Sequence, residues 1–258
     1  MKCALIQYDI VFGDPKANFK KVHSLIDKAM ADKPDVIILP ELWTTAYDLE
    51  RLDEIADPDA KETCDFISSL AKKYDVNIIA GSIAKKNADN VTNTQLIFNR
   101  QGDLVSDYDK VHLFRLMNEE KFLAAGRKEG HFNLDGTPCA GFICYDIRFT
   151  EWLRKHVVSG AKVLFVSAEW PNPRLDHWRT LLICRAIENQ AYVVACNRTG
   201  KDPNNTFFGH SLIINPWGEI IAEGGEDEAI VTGDIDLDEL DQIRTRIPVF
   251  EDRRPELY

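Results

Sequence analysis

Three side chains of this 258-residue chain form a set able to break an amide bond. Cys144 closes the short apolar run Phe142-Ile143, and Tyr145-Asp146-Ile147-Arg148-Phe149 follows at once. Glu41 comes directly after Val36-Ile37-Ile38-Leu39-Pro40, and Lys110 ends the stretch Leu104 to Asp109. A thiol can attack a carbonyl carbon, a carboxylate can take the thiol proton, and an ammonium can hold the oxyanion that forms. Each residue also has an ordinary alternative. A lone cysteine is among the residues most often buried in a core; Glu41 could open a helix, and Lys110 could be a solvated lysine on an edge strand. The shared placement favours chemistry, because each group ends a strand, where α/β folds open their sites.

The elements that must position these groups are legible as alternating apolar runs and helical periods. Cys3 to Ile10 reads as a buried strand. Asp14-Pro15 then caps a helix carrying Phe19, Val22, Ile26, Ala29 and Met30 on one face. Val36 to Leu39 is a strand stopped by Pro40. A second helix is expected from Asp57-Pro58, with Phe66, Ile67, Leu70, Ala71 and Tyr74 inward, and Asp75 to Gly81 is the next strand. Arg100-Gln101-Gly102-Asp103 joins two strands as a hairpin. Phe114 to Gly130 reads as irregular, and a strand pair around Gly136-Thr137 leads to Cys144. Thr150 to Arg154 starts a helix, so the cysteine sits at a strand–turn–helix corner of the kind that exposes a nucleophile. Lys162 to Val166 is a strand, and a helix runs from Leu175 to about Gln190. Strands follow at Tyr192 to Cys196, Ser211 to Ile214, Glu219 to Ala222 and Ile230 to Asp236, then a helix from Leu237 to Ile247 and an extended end. The pattern implies an α/β fold of mixed sheets with helices packed outside, and no repeat or linker divides residues 1–258.

Composition narrows the function classes. A net charge of −11 argues against nucleic-acid or anionic-membrane partners. No apolar run approaches the ~20 residues of a membrane span, and the N-terminus lacks the pattern of a signal peptide. The six cysteines are scattered without a Cys-x-x-Cys pair, which suits reduced thiols in the cytoplasm. No His-x-His or His-Glu-x-x-His pair suggests a metal.

Leu39-Pro40-Glu41, Tyr108-Asp109-Lys110-Val111-His112-Leu113 and Ile143-Cys144-Tyr145-Asp146-Ile147-Arg148-Phe149 resemble, in order and separation, the three signatures of the nitrilase (carbon–nitrogen hydrolase) superfamily. Arg185 to Gln190, Gly209-His210-Ser211 and Asn215 to Glu219 extend the resemblance over nearly the whole chain. Thr150 departs from it, standing where proline is usual. The resemblance implies a single domain over residues 1–258, folded as a four-layer αββα sandwich with two mixed β-sheets between helical layers. It also implies a homodimer or higher homo-oligomer built through helices beside the site. It assigns Cys144 as nucleophile, Glu41 as general base, and Lys110 with the Tyr145 backbone N–H as oxyanion hole. The second glutamate, counted back from Gly126, is Glu119 rather than Glu120, orienting Lys110 or the attacking water. No cofactor or metal is needed.

Ala168 to Arg174, His112 to Met117, Gly209 to Ser211 and the tail from Ile247 to Tyr258 are similar to the ω-amidase branch. This branch hydrolyses the terminal amide of 2-oxo dicarboxylic monoamides such as 2-oxoglutaramate and 2-oxosuccinamate. Such small substrates carry a carboxylate, and Arg115 and Arg174 are the expected cations, with Trp170 as a pocket wall. The rival within the same chemistry is hydrolysis of an N-carbamoyl amine or amino acid. Rivals of other classes are a non-catalytic interaction module, disfavoured by the intact Glu41, Lys110 and Cys144, and a thiol sensor pairing Cys139 with Cys144. Five residues apart on one strand, those two thiols point to opposite faces.

Overall fold

The computed structural model describes residues 1–257; Tyr258, the last residue of the tail motif, lies outside the described residues. In chain order the first half runs β1 (Lys2–Gln7), α1 (Pro15–Ala29), β2 (Val36–Ile38), a one-turn α2 (Leu52–Ile55), β3 (Asp57–Pro58), α3 (Lys61–Tyr74), β4 (Asn77–Lys86), β5 (Val91–Phe98), β6 (Leu104–Asp109) and α4 (Glu119–Phe122). The second half runs β7 (His131–Leu134), β8 (Thr137–Ile143), α5 (Thr150–Val158), β9 (Val163–Ala168), α6 (Leu175–Asn189), β10 (Tyr192–Asn197), β11 (Thr199–Lys201), β12 (Thr206–Phe208), β13 (Leu212–Ile214), β14 (Ile220–Glu223), β15 (Ala229–Asp234) and α7 (Leu237–Arg246).

Two mixed sheets pack face to face. The first has the order β15-β1-β2-β4-β5-β6 with β3 beside β4, and the second the order β14-β13-β10-β9-β8-β7. The period-two alternation of strand side chains builds the layers. Cys3 and Leu5 of β1 join Val36, Ile38, Cys139, Val163, Phe165 and Val194 in the core between the sheets. Their neighbours Ala4 and Ile6 turn outward, where Val22 and Ile26 of α1 and Ile67 and Leu70 of α3 cover them. On the far side Phe142, Leu164, Val166 and Val193 lie under Leu153 of α5 and Trp178 and Leu182 of α6. This is the helix–sheet–sheet–helix order that the family resemblance implies. Among the described residues no helix is long and apolar enough to cross a membrane.

Local departures from the sequence reading have local causes. The helix expected at Asp57-Pro58 starts at Lys61, because Asp57 caps it from a distance: its carboxylate accepts the N–H groups of Glu62 and Thr63 and the Thr63 hydroxyl. The stretch Phe114 to Gly130 holds a 3₁₀ turn, Arg115–Met117, and α4, joined through Asn118 at φ 59°. The β11–β12 hairpin escapes the sequence because its short, largely polar strands carry no alternation; Asp202 closes its turn by accepting the N–H groups of Asn204 and Asn205. Thr150 opens α5 and donates its hydroxyl to Glu188 of α6, so the missing proline is answered by a helix–helix hydrogen bond.

Candidate active site

The second sheet delivers the thiol. β8 ends at Ile143, and Cys144 opens a 3₁₀ turn, Cys144–Arg148, with φ at 44°, a left-handed conformation costly for a residue with a Cβ. Asp146 holds it there. This buried carboxylate accepts the Ile143 N–H (3.0 Å), the Tyr108 hydroxyl (2.8 Å) and the His112 N–H (3.2 Å), and lies 2.7 Å from His112 Nδ1. His112 stacks on Phe149 at 3.7 Å between ring centres. The corner is therefore tied on both sides of the cysteine. Cys144 belongs to the layer under α5 and α6, whereas Cys139 faces the inter-sheet core, so the two thiols lie on opposite faces of β8.

The first sheet delivers the charges. Glu41 follows β2 after Leu39-Pro40, and β4 shapes that turn with an irregularity between Ile79 and Ser82. Gly81 sits there at φ 56°; a Cβ on it would come within 2.0 Å of the Pro40 carbonyl oxygen. Ser82 then donates its N–H to Pro40 O and takes the Leu42 N–H on its hydroxyl oxygen. Lys110 leaves the edge strand β6, yet it is fully buried. Its N–H donates to Asn93 O, and its carbonyl accepts the Gly126 N–H. A Cβ at Gly126 would sit 2.0 Å from Asp109 O, so this glycine lets the loop carrying Glu119 close on Lys110.

These groups meet. Lys110 Nζ donates to Glu41 Oε1 at 2.7 Å and to Glu119 Oε1 at 2.6 Å, all three side chains having no exposure. Tyr47 donates its hydroxyl to Glu41 Oε1 (2.9 Å) and Glu119 Oε1 (2.5 Å), and Asn93 Nδ2 donates to Glu41 Oε1 (2.8 Å). Glu41 Oε2 accepts the Glu169 N–H at 2.9 Å, and Glu119 Oε2 accepts the Phe114 N–H at 2.6 Å. Burial pushes the Cys144 thiol well above the usual thiol range; the charge of Glu41 adds to this, and Lys110 opposes it. Burial alone would lower Lys110, but Glu119 and Glu41 overcome it and hold the ammonium above its ordinary value. Burial raises the Glu119 carboxyl against the pull of Lys110. This is a protonated thiol beside the Glu41 side chain and a permanent cation, an arrangement in which attack by sulfur requires a base.

A pocket over the thiol is lined by Phe114, Cys144, Tyr145, Arg148, Trp170, Pro171 and Arg174. Trp170 and Arg174, expected near the substrate, are among the lining residues. Arg115 is not among them: it is exposed and borders an adjoining depression with Leu113 and Leu116. Arg148, which the sequence offered only as a member of the Cys144 motif, also lines the pocket, lying 4.8 Å over the Trp170 ring. Tyr47, Asn93 and Glu169 are contacts of Glu41 that sequence reasoning missed. A signal existed for Asn93 alone, in the polar run Thr92-Asn93-Thr94-Gln95, buried throughout inside a strand. One group of side chains, Glu129, His131 and His156, has metal-like spacing. His156 is already committed, accepting the Gly130 N–H on Nε2 with Nδ1 at 2.7 Å from Trp152 O, so the set does not fit an ion.

Comparison with known proteins agrees with this geometry. The carbon–nitrogen hydrolase family model matches residues 2–245. A Bacillus subtilis protein described as 2-oxoglutaramate amidase is 53% identical, with 98% of this chain and 97% of that protein aligned. The human omega-amidase NIT2 is 32% identical across 100% of this chain and 96% of its own. Among solved structures, a CN-hydrolase superfamily protein of Xanthomonas campestris, with an arsenic adduct in its active site, superposes with a TM-score of 0.93 at 32% identity, covering 98% and 97% of the two chains. The chain belongs to the carbon–nitrogen hydrolase (nitrilase) superfamily, as a linear-amide hydrolase closely related to its ω-amidase branch.

Proposed function

We propose that the protein hydrolyses the terminal amide of 2-oxo dicarboxylic monoamides, 2-oxoglutaramate foremost, through a thioester on Cys144. The observation that carries this reading is the pocket itself: a buried thiol in a pocket that two arginines, Arg148 and Arg174, also line. They suit a short acid with its amide at one end and its carboxylate at the other. The 53% identical relative from Bacillus subtilis supports the same substrate.

In this scheme Glu41 accepts the thiol proton as sulfur bonds to the amide carbon. Negative charge moves to the carbonyl oxygen, where Lys110 Nζ and the Tyr145 N–H receive it; a donor of this kind is typically worth roughly 3–4 kcal/mol of barrier. Glu41 returns the proton to the leaving nitrogen, the C–N bond breaks, and ammonia departs. Water then attacks the thioester with Glu41 again as base, releasing the 2-oxo dicarboxylate and restoring the thiol. Glu119 keeps Lys110 aimed, since it shares that ammonium with Glu41. The chain acts in this reading as one cytoplasmic domain, in a homodimer, with no nucleic-acid partner and no cofactor.

Ammonia release should be measured across 2-oxoglutaramate, 2-oxosuccinamate, glutamine, asparagine and carbamoylated amino acids, with carbon dioxide followed in parallel. Turnover concentrated on the 2-oxo amides without carbon dioxide is the expected result. Turnover confined to the carbamoylated set, with both gases released, would transfer the protein to the rival chemistry.

A further inference from the structure

A second buried pair of opposite charge type lies against the first. Glu169, directly after β9, has no exposed surface, and its peptide N–H is the donor on Glu41 Oε2. The other Glu41 oxygen is crowded by Lys110, Asn93 and Tyr47, so the angle of the carboxylate about its axis depends on where the Glu169 peptide sits. That peptide is anchored through its own side chain. Glu169 Oε2 accepts Arg198 Nη1 at 2.8 Å. Arg198 is itself fully buried and closed on all sides: Nη2 donates to Asp9 Oδ1 (2.7 Å) and Ile10 O (3.0 Å), and its guanidinium lies 4.2 Å over the Phe207 ring. The remaining Glu169 oxygen, Oε1, is buried with no hydrogen-bond partner among the described residues. An apolar side chain would avoid that desolvation cost, so a carboxyl here requires a reason other than packing.

We propose that Glu169 is a positioning residue for the base: clamped by Arg198, it fixes the peptide N–H that turns Glu41 toward the Cys144 thiol. The proposal rests on Glu41 being the base of the reaction. What it requires of Glu169 is an acceptor for Arg198, so an amide of the same shape suffices while a truncated side chain does not.

The test compares Glu169→Ala with Glu169→Gln, each alone and in a Glu41→Gln background. Two readouts apply: kcat and KM for 2-oxoglutaramate, and the rate at which iodoacetamide alkylates Cys144, followed by peptide mass mapping. Glu169→Ala should lower kcat and the alkylation rate about tenfold or more, as misplacement of a reacting group does, with KM within about twofold. Glu169→Gln should recover most of both, and Glu169→Ala should add no further loss once Glu41 is glutamine. An equal loss in both backgrounds, a change confined to KM, or a folded Glu169→Gln as slow as Glu169→Ala would overturn the proposal. If Glu169→Ala does not fold, Arg198→Lys, which keeps the charge and loses the fork, carries the same expectations. Undiminished alkylation and turnover in Glu41→Gln alone would instead remove the base assignment on which the proposal stands.

Discussion

Two buried cationic centres lie side by side in this protein and are built for opposite ends. Around Lys110 two buried carboxyl groups, Glu41 and Glu119, share one ammonium beside a thiol. Around Arg198 a single buried carboxyl, Glu169, faces a guanidinium whose other donors go to the half-exposed Asp9 and to backbone carbonyls. Lysine offers a compact charge whose donors can swing to a forming oxyanion, whereas the planar fork of arginine fixes the groups around it. The first centre lies beside the thiol, where a proton can be moved; the second lies behind it and holds. They meet at one hydrogen bond, from the Glu169 peptide to Glu41.

The largest expected effects test the reactive centre. Cys144→Ala and Glu41→Gln should each cost at least about 10³-fold in turnover with an unchanged circular dichroism spectrum; near wild-type activity in either would sink the scheme. Lys110→Met should lose about 10²–10³-fold in kcat for want of an oxyanion donor, and about 3–5 kcal/mol of stability, because two carboxylates are then buried without their cation. Arg198→Met should cost less stability than that in denaturant titrations, because the one buried carboxyl it leaves can stay protonated, and kcat should fall only about tenfold, since it acts on Glu41 at one remove. Equal kcat losses for the Lys110 and Arg198 variants would erase the distinction between the two centres.

Smaller effects concern the pocket and pH. Arg148→Gln should raise KM for 2-oxoglutaramate by about 10–100-fold, the worth of a charge-assisted hydrogen bond, with kcat less affected. Arg115→Gln, outside the pocket over the thiol, should change KM by less than about twofold; a large rise there would return the carboxylate site to the adjoining depression. Burial pushes the Glu169 carboxyl up to about 8, against the pull of Arg198, from an ordinary 4.5. With the folded value the higher one, its contribution to stability is full below pH 4.5 and is lost as pH rises through about 8. Glu169→Gln cannot ionise and should flatten that decline in Tm; an unchanged slope would show that Arg198 keeps the carboxyl charged throughout.

Much of the site was legible because its members stand at places the chain itself marks. Glu41 follows an apolar run and a proline, and Cys144 closes another such run; the family resemblance, counted back from Gly126, picks buried Glu119 over exposed Glu120. Tyr47 and Glu169 carried no such mark. Tyr47 sits in a turn-rich segment after Glu41, and Glu169 acts on the base through its backbone, which no side-chain pattern reports. Arg148 lines the pocket and Arg115 the adjoining depression; which arginine borders a pocket depends on how their two turns pack in space.

What the sequence determined by itself is local and repetitive: the period-two strands, the caps such as Asp14 on α1, and the chemical identities at strand ends. These depend on neighbours within a few residues, which the sequence lists in order. Tertiary structure decided the rest. It brought Glu41 and Lys110 from the first sheet to Cys144 from the second, buried Lys110 although it leaves an edge strand, and set the Glu169 peptide on Glu41 across 128 residues. Coulomb and desolvation energies depend on distance and burial in space, and neither is written in the spacing of residues along a chain.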